Sequence, residues 1–223
     1  MRIVSWNCRN GFTAGKQEAI NIFGADILVI QECTQTDYDR EKSKWSSHDY
    51  YRDDEEKSNL GVALFSKKFT LIKETGFDKK NRYVIPYKIT GAKEPFVLYT
   101  VWTKKPTNNN SNYHTPVNNV LSGLSSPPIE NTIFIGDFNT GSIQGAANAH
   151  WYDELEYTFA KKGFLNCADE QEWVPTFFRG RRSWLDDHCF ATTDLKVISF
   201  GIGNTDYWLK QSDHCPIIVD FDL

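Results

Sequence analysis

The chain has 223 residues, of which 40% are hydrophobic and 14% aromatic, and its formal net charge at pH 7 is −4. This length can bury a substantial core, and the composition excludes a disordered or fibrous chain. The chain lacks the long apolar run that a membrane-spanning helix needs, and we expect one domain over residues 1–223. Because the first predicted strand already carries a candidate site residue, we also expect no cleaved signal peptide and a cytoplasmic, intracellular protein.

The negative charge argues against tight binding of long duplex DNA, because such binding usually draws on a basic face that releases counterions. Two local basic clusters, Lys104 with Lys105 and the arginines of residues 179–182, could still form a patch. Most runs of this kind are solvated surface. The charge balance therefore favours a small or single-stranded substrate, or a phosphate on another kind of molecule.

The cysteines are odd in number and show no Cys-x-x-Cys spacing. This pattern predicts free, buried thiols in a reducing compartment rather than a disulfide framework. A catalytic cysteine is the alternative. The five are Cys8, Cys33, Cys167, Cys189 and Cys215.

Short apolar strands with intervening helices are predicted along the chain. The continuous apolar run 26–30 is typical of a strand buried on both faces, and the helical spacing of 16–23 ends at Gly24, as helices often do. The segment 107–115, with three consecutive asparagines, reads as a loop. The predicted strands cover residues 2–6, 26–30, 61–65, 69–73, 83–89, 95–102, 132–135, 174–178, 187–191, 197–201 and 216–221, and the predicted helices cover 16–23, 117–124 and 150–162.

Acid and amide side chains recur at the ends of these strands. A buried strand fixes the residue at its end, so several such ends that converge can form a preorganised polar site. Carboxylate and amide oxygens suit a hard cation such as Mg²⁺. The residues concerned are Asn7, Glu32, Asp137, Asn139, Asp187, Asp213 and His214.

Five short motifs occur in a fixed order and together span the chain: Trp6-Asn7, Gln31-Glu32, Gly136-Asp137-Phe138-Asn139, Asp187-His188-Cys189-Phe190 and Ser212-Asp213-His214-Cys215-Pro216-Ile217. The set resembles the endonuclease/exonuclease/phosphatase superfamily. Each motif alone is weakly specific, and it is the ordered set that is strong. The resemblance implies an α/β fold, a four-layer α/β/β/α sandwich of two packed mixed β-sheets. It also implies a phosphoester hydrolase that depends on Mg²⁺ or Mn²⁺.

The resemblance further implies a role for each strand-end residue. Glu32 would bind the metal directly, Asn7 would help to orient it through a neutral oxygen, and Asp213 would contribute to the same site. Asp137 would align and deprotonate the attacking water, while Asn139 would donate a hydrogen bond to the phosphoryl oxygen. Local sequence alone also allows a plain strand exit at Glu32 and simple turn chemistry at the other positions.

His214 would carry a positive charge, because a carboxylate partner raises the pKa of an imidazole. Two adjacent acids could be that partner. The register of the motif favours Asp187 over Asp186. A cationic His214 could then bind the scissile phosphate.

One strand departs from better-known members of the superfamily. Many carry His or Tyr where this chain has Trp102, so Tyr113, His114 or a loop asparagine would have to substitute, or the leaving-group chemistry differs. Further phosphate-contact candidates are Arg82, Thr176 and Arg179.

The favoured function is a phosphodiesterase or nuclease acting on DNA or RNA by in-line attack of an activated water. A phosphatase on a small phosphorylated molecule or lipid headgroup is the alternative. An inactive nucleic-acid-binding relative is the third hypothesis.

Overall fold

The computed structural model describes residues 1–54, 57–104, 112–124, 129–141, 149–168 and 174–223. Strands dominate this described part of the chain. The strands are β1 (Arg2–Asn7), β2 (Ile27–Thr34), β3 (Ser47–Tyr51), β4 (Leu60–Ser66), β5 (Thr70–Lys73), β6 (Val84–Thr90), β7 (Phe96–Trp102), β8 (Thr132–Asp137), β9 (Phe164–Asn166), β10 (Phe177–Arg179), β11 (Arg182–Trp184), β12 (Asp187–Thr192), β13 (Val197–Ile202) and β14 (Ile217–Phe221). The α-helices are α1 (Ala14–Ile20), α2 (Gln35–Glu41), α3 (Thr115–Gly123), α4 (Ala149–Lys161) and α5 (Thr205–Trp208).

Two six-stranded mixed sheets form the centre of the fold. The first has the order β13-β14-β1-β2-β4-β3, and the second has the order β5-β6-β7-β8-β12-β9. Each contains a parallel pair, β1 with β2 and β7 with β8. β10 and β11 form a separate two-stranded hairpin.

The apolar side chains divide into three layers, which explains why several strands read as continuous apolar runs. In β2, Ile27 and Val29 point into the core between the two sheets, whereas Leu28 and Ile30 point to the outer side, which α1 and α2 cover. A third cluster packs α3 and α4 against the second sheet, with Phe134 at its centre. The four-layer α/β/β/α sandwich is thereby confirmed.

The predicted elements agree with the observed ones except where sequence patterning is weak. The predicted helix 16–23 is α1 followed by a short 3₁₀ turn, and Gly24 ends it with a left-handed φ of 60°. No element was predicted within the polar stretch 34–58, which contains α2 and β3. The predicted strand 174–178 lies instead in the β10–β11 hairpin, and β9 and α5 were also missed. The predicted loop 107–115 lies largely outside the described residues.

All five cysteines are buried and free, as predicted. Burial raises the pKa of the Cys8 and Cys33 thiols well above the usual range. Within the part of the chain that the structure describes, no helix has the length and apolar character that a membrane crossing requires.

Candidate active site

The strand ends that carry the motif residues meet at one edge of the two sheets. Asp137, the last residue of β8, is in register with Asp187 of β12 and with Trp102 of β7. From the other sheet, Asn7 at the end of β1 donates from Nδ2 to Asp137 Oδ2 across 2.8 Å. Because the strands of each parallel pair end at the same edge, polar groups from both sheets meet there.

Glu32 reaches this edge because β2 is irregular at that point. The pairing of β2 with β4 shifts register between Gln31 and Cys33, and the intervening Glu32 has a left-handed φ of 57°. A bulge of this kind re-aims one side chain, and non-glycine residues adopt such a φ only where their surroundings hold them. Glu32 Oε2 accepts from the backbone N–H of Asn10 at 2.9 Å, so the carboxylate is held in a defined position.

The Gly136–Asn139 motif depends on close backbone packing. Gly136 has a φ of 148°, and a Cβ built there would lie 1.9 Å from the carbonyl oxygen of Val101, so only glycine fits. Asp137 Oδ1 accepts from the backbone N–H of Asn139 at 2.8 Å. The side chain of Asn139 donates to the Thr103 carbonyl at 3.0 Å, which leaves its second N–H for another acceptor.

His214 pairs with Asp187. Its Nδ1 lies 2.8 Å from Asp187 Oδ2, and both side chains are almost fully buried. Trp6 of the first motif fixes the main chain here, because its indole N–H donates to the His214 carbonyl at 2.8 Å. The ring of Phe177 packs on the imidazole with centroids 4.6 Å apart. The Nε2 edge of His214 therefore remains as the side that can meet a substrate.

Burial and charge oppose each other in this cluster. Desolvation raises the pKa of Asp137, and the Asp187 carboxylate adds to that effect, while His214 and Asn7 act against it. Desolvation would lower the pKa of His214, but the carboxylates of Asp187 and Asp137 outweigh it and raise the pKa to about 10. Burial raises the pKa of Asp186 to about 8, so that carboxyl is largely protonated at neutral pH. The histidine is thus cationic and is flanked by acids of unequal strength.

His188, the second residue of the fourth motif, belongs to the core. Its Nε2 lies 2.8 Å from the Thr140 carbonyl oxygen, and its ring packs beside Tyr152 and Phe138. Burial lowers the pKa of His188 to about 4. It is therefore neutral at pH 7, unlike His214.

Asn7, which the resemblance implied would help to orient the metal through its oxygen, turns its amide nitrogen towards the acids. Its Nδ2 faces Glu32 and Asp137, while its Oδ1 accepts from the backbone N–H of Arg9 at 3.0 Å. The reason is local: two acids compete for the amide N–H, and the backbone of the following turn takes the oxygen. In this arrangement the Asn7 amide orients the two acids, and Glu32 and Asp213 present carboxylates to the cavity.

A cavity of about 590 Å³ opens over these groups. Its wall includes Trp102 and Tyr113, and Lys104 lies 3.9 Å above the Trp102 ring. Asp213 also lines it and contacts Arg9 at 3.4 Å between Oδ2 and Nε. The described residues that line it are Asn7, Asn10, Glu32, Ser58, Leu60, Trp102, Thr103, Lys104, Tyr113, Asp137, Asn139, Phe177, Asp213 and His214.

Three of the phosphate-contact candidates lie outside this cavity lining. Arg82 Nε donates to Asp53 Oδ2 at 2.8 Å, so the guanidinium forms an ion pair with an acid that does not line the cavity. Arg179 is exposed near the tip of the β10–β11 hairpin. Thr176 is fully buried, and its hydroxyl accepts the backbone N–H groups of residues 186 and 187. Thr176 thus holds the strand that presents Asp187.

The donors present fit a divalent cation. Glu32 and Asp213 supply carboxylate oxygens at the cavity, and Oδ1 of Asp187 is a buried oxygen without a hydrogen-bond partner among the described residues. Asp137, Asp187 and His214 also bring one ligand atom each within 4.8 Å of one another. However, a protonated imidazole repels a cation, so the Glu32 side of the cavity is the better place for one.

Sequence reasoning missed several residues of this site. Phe177 and Ser58 line the cavity, and Ser212 Oγ donates to the Asn7 carbonyl at 2.8 Å. Lys104 was noted only as one of a basic pair. Phe177 could not have been found, because its contact with His214 depends on a hairpin that the sequence pattern did not reveal.

The model of the endonuclease/exonuclease/phosphatase family matches residues 4–214. The chain belongs to this family. Members of the endonuclease/exonuclease/phosphatase family are hydrolases of phosphoester bonds that use divalent metals, and the chain is a hydrolase of that class. No curated protein matches the chain in sequence.

Solved structures of the family share the fold at low sequence identity. A 3′-5′ exonuclease from Neisseria meningitidis is similar over 100% of both chains, with a TM-score of 0.71 and 16% identity. A mannosyl-6-phosphatase from Bacteroides thetaiotaomicron is similar over 100% of both chains, with a TM-score of 0.67 and 16% identity. TDP2 from D. rerio, complexed with a single-strand DNA product, is similar over 100% of this chain and 99% of its own, with a TM-score of 0.68 and 14% identity. At these identities the likeness establishes the fold and leaves the substrate open.

Proposed function

We propose that the chain is a Mg²⁺-dependent phosphodiesterase of one domain that cleaves DNA or RNA by in-line attack of water. The observation that carries this proposal is one cavity in which a buried carboxylate, Asp137, lies beside a cationic imidazole, His214. A base and a cation together can activate water and stabilise the charge that develops on phosphorus-bound oxygens.

In this mechanism Asp137 accepts a proton from the attacking water. Its carboxylate is oriented by Asn7 and by the backbone of Asn139, and its raised pKa makes it a stronger base at neutral pH than an exposed aspartate. The water oxygen forms the new bond to phosphorus as the bond to the leaving oxygen breaks. Glu32 and Asp213 would hold the divalent cation, which would neutralise charge on the phosphate.

His214 stays protonated and binds a non-bridging phosphate oxygen through Nε2, while Asp187 holds the ring. The second N–H of Asn139 can donate to the same phosphoryl group. In the position of the missing histidine, Trp102 has no acidic proton to give to a leaving oxygen. We assign that proton transfer to the Tyr113 hydroxyl, which lines the same cavity.

Positively charged side chains at the cavity favour a substrate with several phosphates, such as a nucleic acid strand. Lys104 lies on the wall and Arg9 beside Asp213, so cations remain near the site although the chain is acidic overall. A phosphatase that acts on a small molecule is the second candidate.

The test is a turnover screen with and without Mg²⁺ over single-stranded DNA, abasic duplex DNA, RNA and small phosphomonoesters. The proposal expects Mg²⁺-dependent cleavage of at least one nucleic acid, abolished by chelation. If the protein releases phosphate from the small monoesters and cleaves no nucleic acid, the nuclease proposal is wrong and the phosphatase is the function.

A further inference from the structure

The β10–β11 hairpin lies beside the segment that carries His214 and belongs to neither six-stranded sheet. Its base is bound to the segment that carries His214: the N–H of Phe178 donates to the Asp213 carbonyl at 2.8 Å, and that of Cys215 to the Thr176 carbonyl at 2.7 Å. A bridge also pairs Phe177 with His214. The hairpin is therefore held in a fixed position relative to the catalytic imidazole.

One face of this hairpin continues from the cavity. Phe177 pairs across the strands with Trp184, and Arg179 with Arg182. Because side chains alternate along a strand and cross-strand partners share a face, these four lie on the same side. Phe178 points to the opposite side and packs against the core outside the first sheet. Since Phe177 lines the cavity, the aromatic pair lies next to the catalytic site and the arginine pair lies further out.

The three arginines of the hairpin form no ion pair with the described residues that would stabilise the fold. Arg179, Arg181 and Arg182 are exposed, and among the described residues none of them is in an ion pair. Like charges directly opposite each other in an antiparallel pair destabilise it. The chain has 29 acidic residues, yet none of the described ones neutralises these three cations. A polyanion that bridges Arg179 and Arg182 would remove this repulsion.

The loop geometry keeps the two arginines together. Gly180 and Arg181 form a two-residue connection, and Gly180 has a left-handed φ of 63° at its first position. Glycine in that position is typical of the type II′ hairpin turn, whose twist matches that of paired strands. The arginine pair is thus presented by a short, tight hairpin rather than by a long loop.

We propose that this face, formed by Phe177, Trp184, Arg179 and Arg182, binds a single strand of nucleic acid that leads away from the scissile phosphate. Unpaired bases stack on the aromatic rings, and the next phosphates along the strand contact the arginines. Aromatic platforms beside a basic track are the arrangement with which proteins bind single strands, whereas the bases of a duplex are already stacked inside it. This inference rests on the proposed function, which places the scissile phosphate in the cavity. It adds that the substrate is single-stranded.

Binding without chemistry tests the surface directly. Full-length protein in chelator is titrated with a fluorescein-labelled oligothymidylate of about 12 nucleotides, within the usual length of single-strand sites, at several salt concentrations. The double variant Arg179→Gln/Arg182→Gln should weaken binding and make the slope of log K against log salt less negative by about 1.4, since each phosphate contact on a single strand contributes about 0.7. Trp184→Leu should weaken binding by roughly 5- to 150-fold and leave the slope unchanged.

The matched control is Lys68→Gln/Lys196→Gln, which removes two exposed cations from the opposite ends of the strands. It should bind with the wild-type slope. The lysine control and the arginine variant should both keep the wild-type kcat on bis(p-nitrophenyl) phosphate, which is too small to extend past the aromatic pair to Arg179 and Arg182.

Either of two results would overturn the proposal: an unchanged salt slope in the arginine variant, or competition by a duplex of the same length that is as strong as that of the unlabelled single strand. If the wild type hydrolyses no phosphodiester but the arginine variant still loses oligothymidylate binding, the proposed function fails and the binding surface stands. If hydrolysis is intact and the slope is unchanged, the surface fails and the function stands.

Discussion

Asp187 and His214 lie 27 positions apart in the chain and are joined by a hydrogen bond of 2.8 Å between Oδ2 and Nδ1. The bond follows from strand register. Asp187 begins β12 directly opposite Asp137, so its side chain turns towards the edge where His214 lies. Asp186 comes one residue earlier and makes no such bond to the imidazole within the described structure. Together with the Asp137 carboxylate, this pair keeps His214 cationic.

Replacing the two adjacent acids separates their roles. Asp187→Asn should lower the pKa of His214, so the imidazole loses its proton at a lower pH and kcat falls by roughly 10²- to 10⁴-fold near neutral pH. Asp186→Asn should change kcat little, because burial already keeps that carboxyl largely neutral. The measurement is kcat against pH for both variants. A larger loss with Asp186→Asn would mean that the wrong acid has been paired with His214.

Glu32→Gln should raise the Mg²⁺ concentration needed for half-maximal turnover. Removing one anionic oxygen weakens a hard-cation site, whose affinity depends on ligand charge. Titration calorimetry of Mg²⁺ on the same variant checks the cause. Glu18→Gln changes an exposed acid on α1 and is the control. Equal Mg²⁺ affinity in both variants would exclude Glu32 as a ligand.

Gly136→Ala should destabilise the fold. The added methyl would meet the Val101 carbonyl at 1.9 Å and would need a φ of 148° that alanine disfavours, which together cost about 2 kcal/mol or more. For a chain of this size, Tm should fall by roughly 4 °C or more. Gly15→Ala on α1, where a Cβ would meet nothing within 4 Å, should keep or slightly raise Tm. Similar melting of the two variants would contradict the close approach of β7 and β8.

His188 should make stability depend on pH. Its pKa is about 4 in the folded protein and 6.5 in the unfolded reference. Below pH 6.5 the unfolded chain binds the proton first, so the free energy of unfolding falls by up to about 1.4 kcal/mol per pH unit until pH 4. Asp186 acts in the opposite sense, because its raised pKa favours the folded state as the pH falls.

The comparison that isolates this effect is wild type against His188→Phe by denaturant unfolding between pH 7 and about pH 4.5. The variant loses the bond to Thr140, so its stability at pH 7 is lower, but the acid-side decline should be shallower. Parallel curves for the two proteins would show that His188 is not buried in its neutral form.

Much of the site was predictable because buried strands carry their end residues with them. Asn7, Glu32, Asp137, Asn139, Asp213 and His214 do line one cavity. Apolar runs such as β2 identify strands between two packed layers, and motif order identifies which strand ends converge.

What the sequence did not predict depends on contacts between distant segments. The direction of the Asn7 amide is decided by Arg9 on one side and two acids on the other. Arg82 was assigned to substrate because nothing local reveals its bond to Asp53. The β10–β11 hairpin was missed because each of its strands has only three residues, too few for periodicity.

The role of Asp137 as the base that activates water is tested most directly by kcat of Asp137→Asn on the best substrate, measured together with Tm. Asparagine retains the shape and one of the two hydrogen bonds that Asp137 accepts, from Asn7 and from the backbone of Asn139. It cannot accept the proton of water, so kcat should fall by about 10²- to 10⁴-fold. Because the buried carboxylate is costly to ionise, Tm should stay close to that of the wild type. A folded variant that keeps most of its turnover would contradict Asp137 as the base. A variant that unfolds would show instead that Asp137 serves the fold.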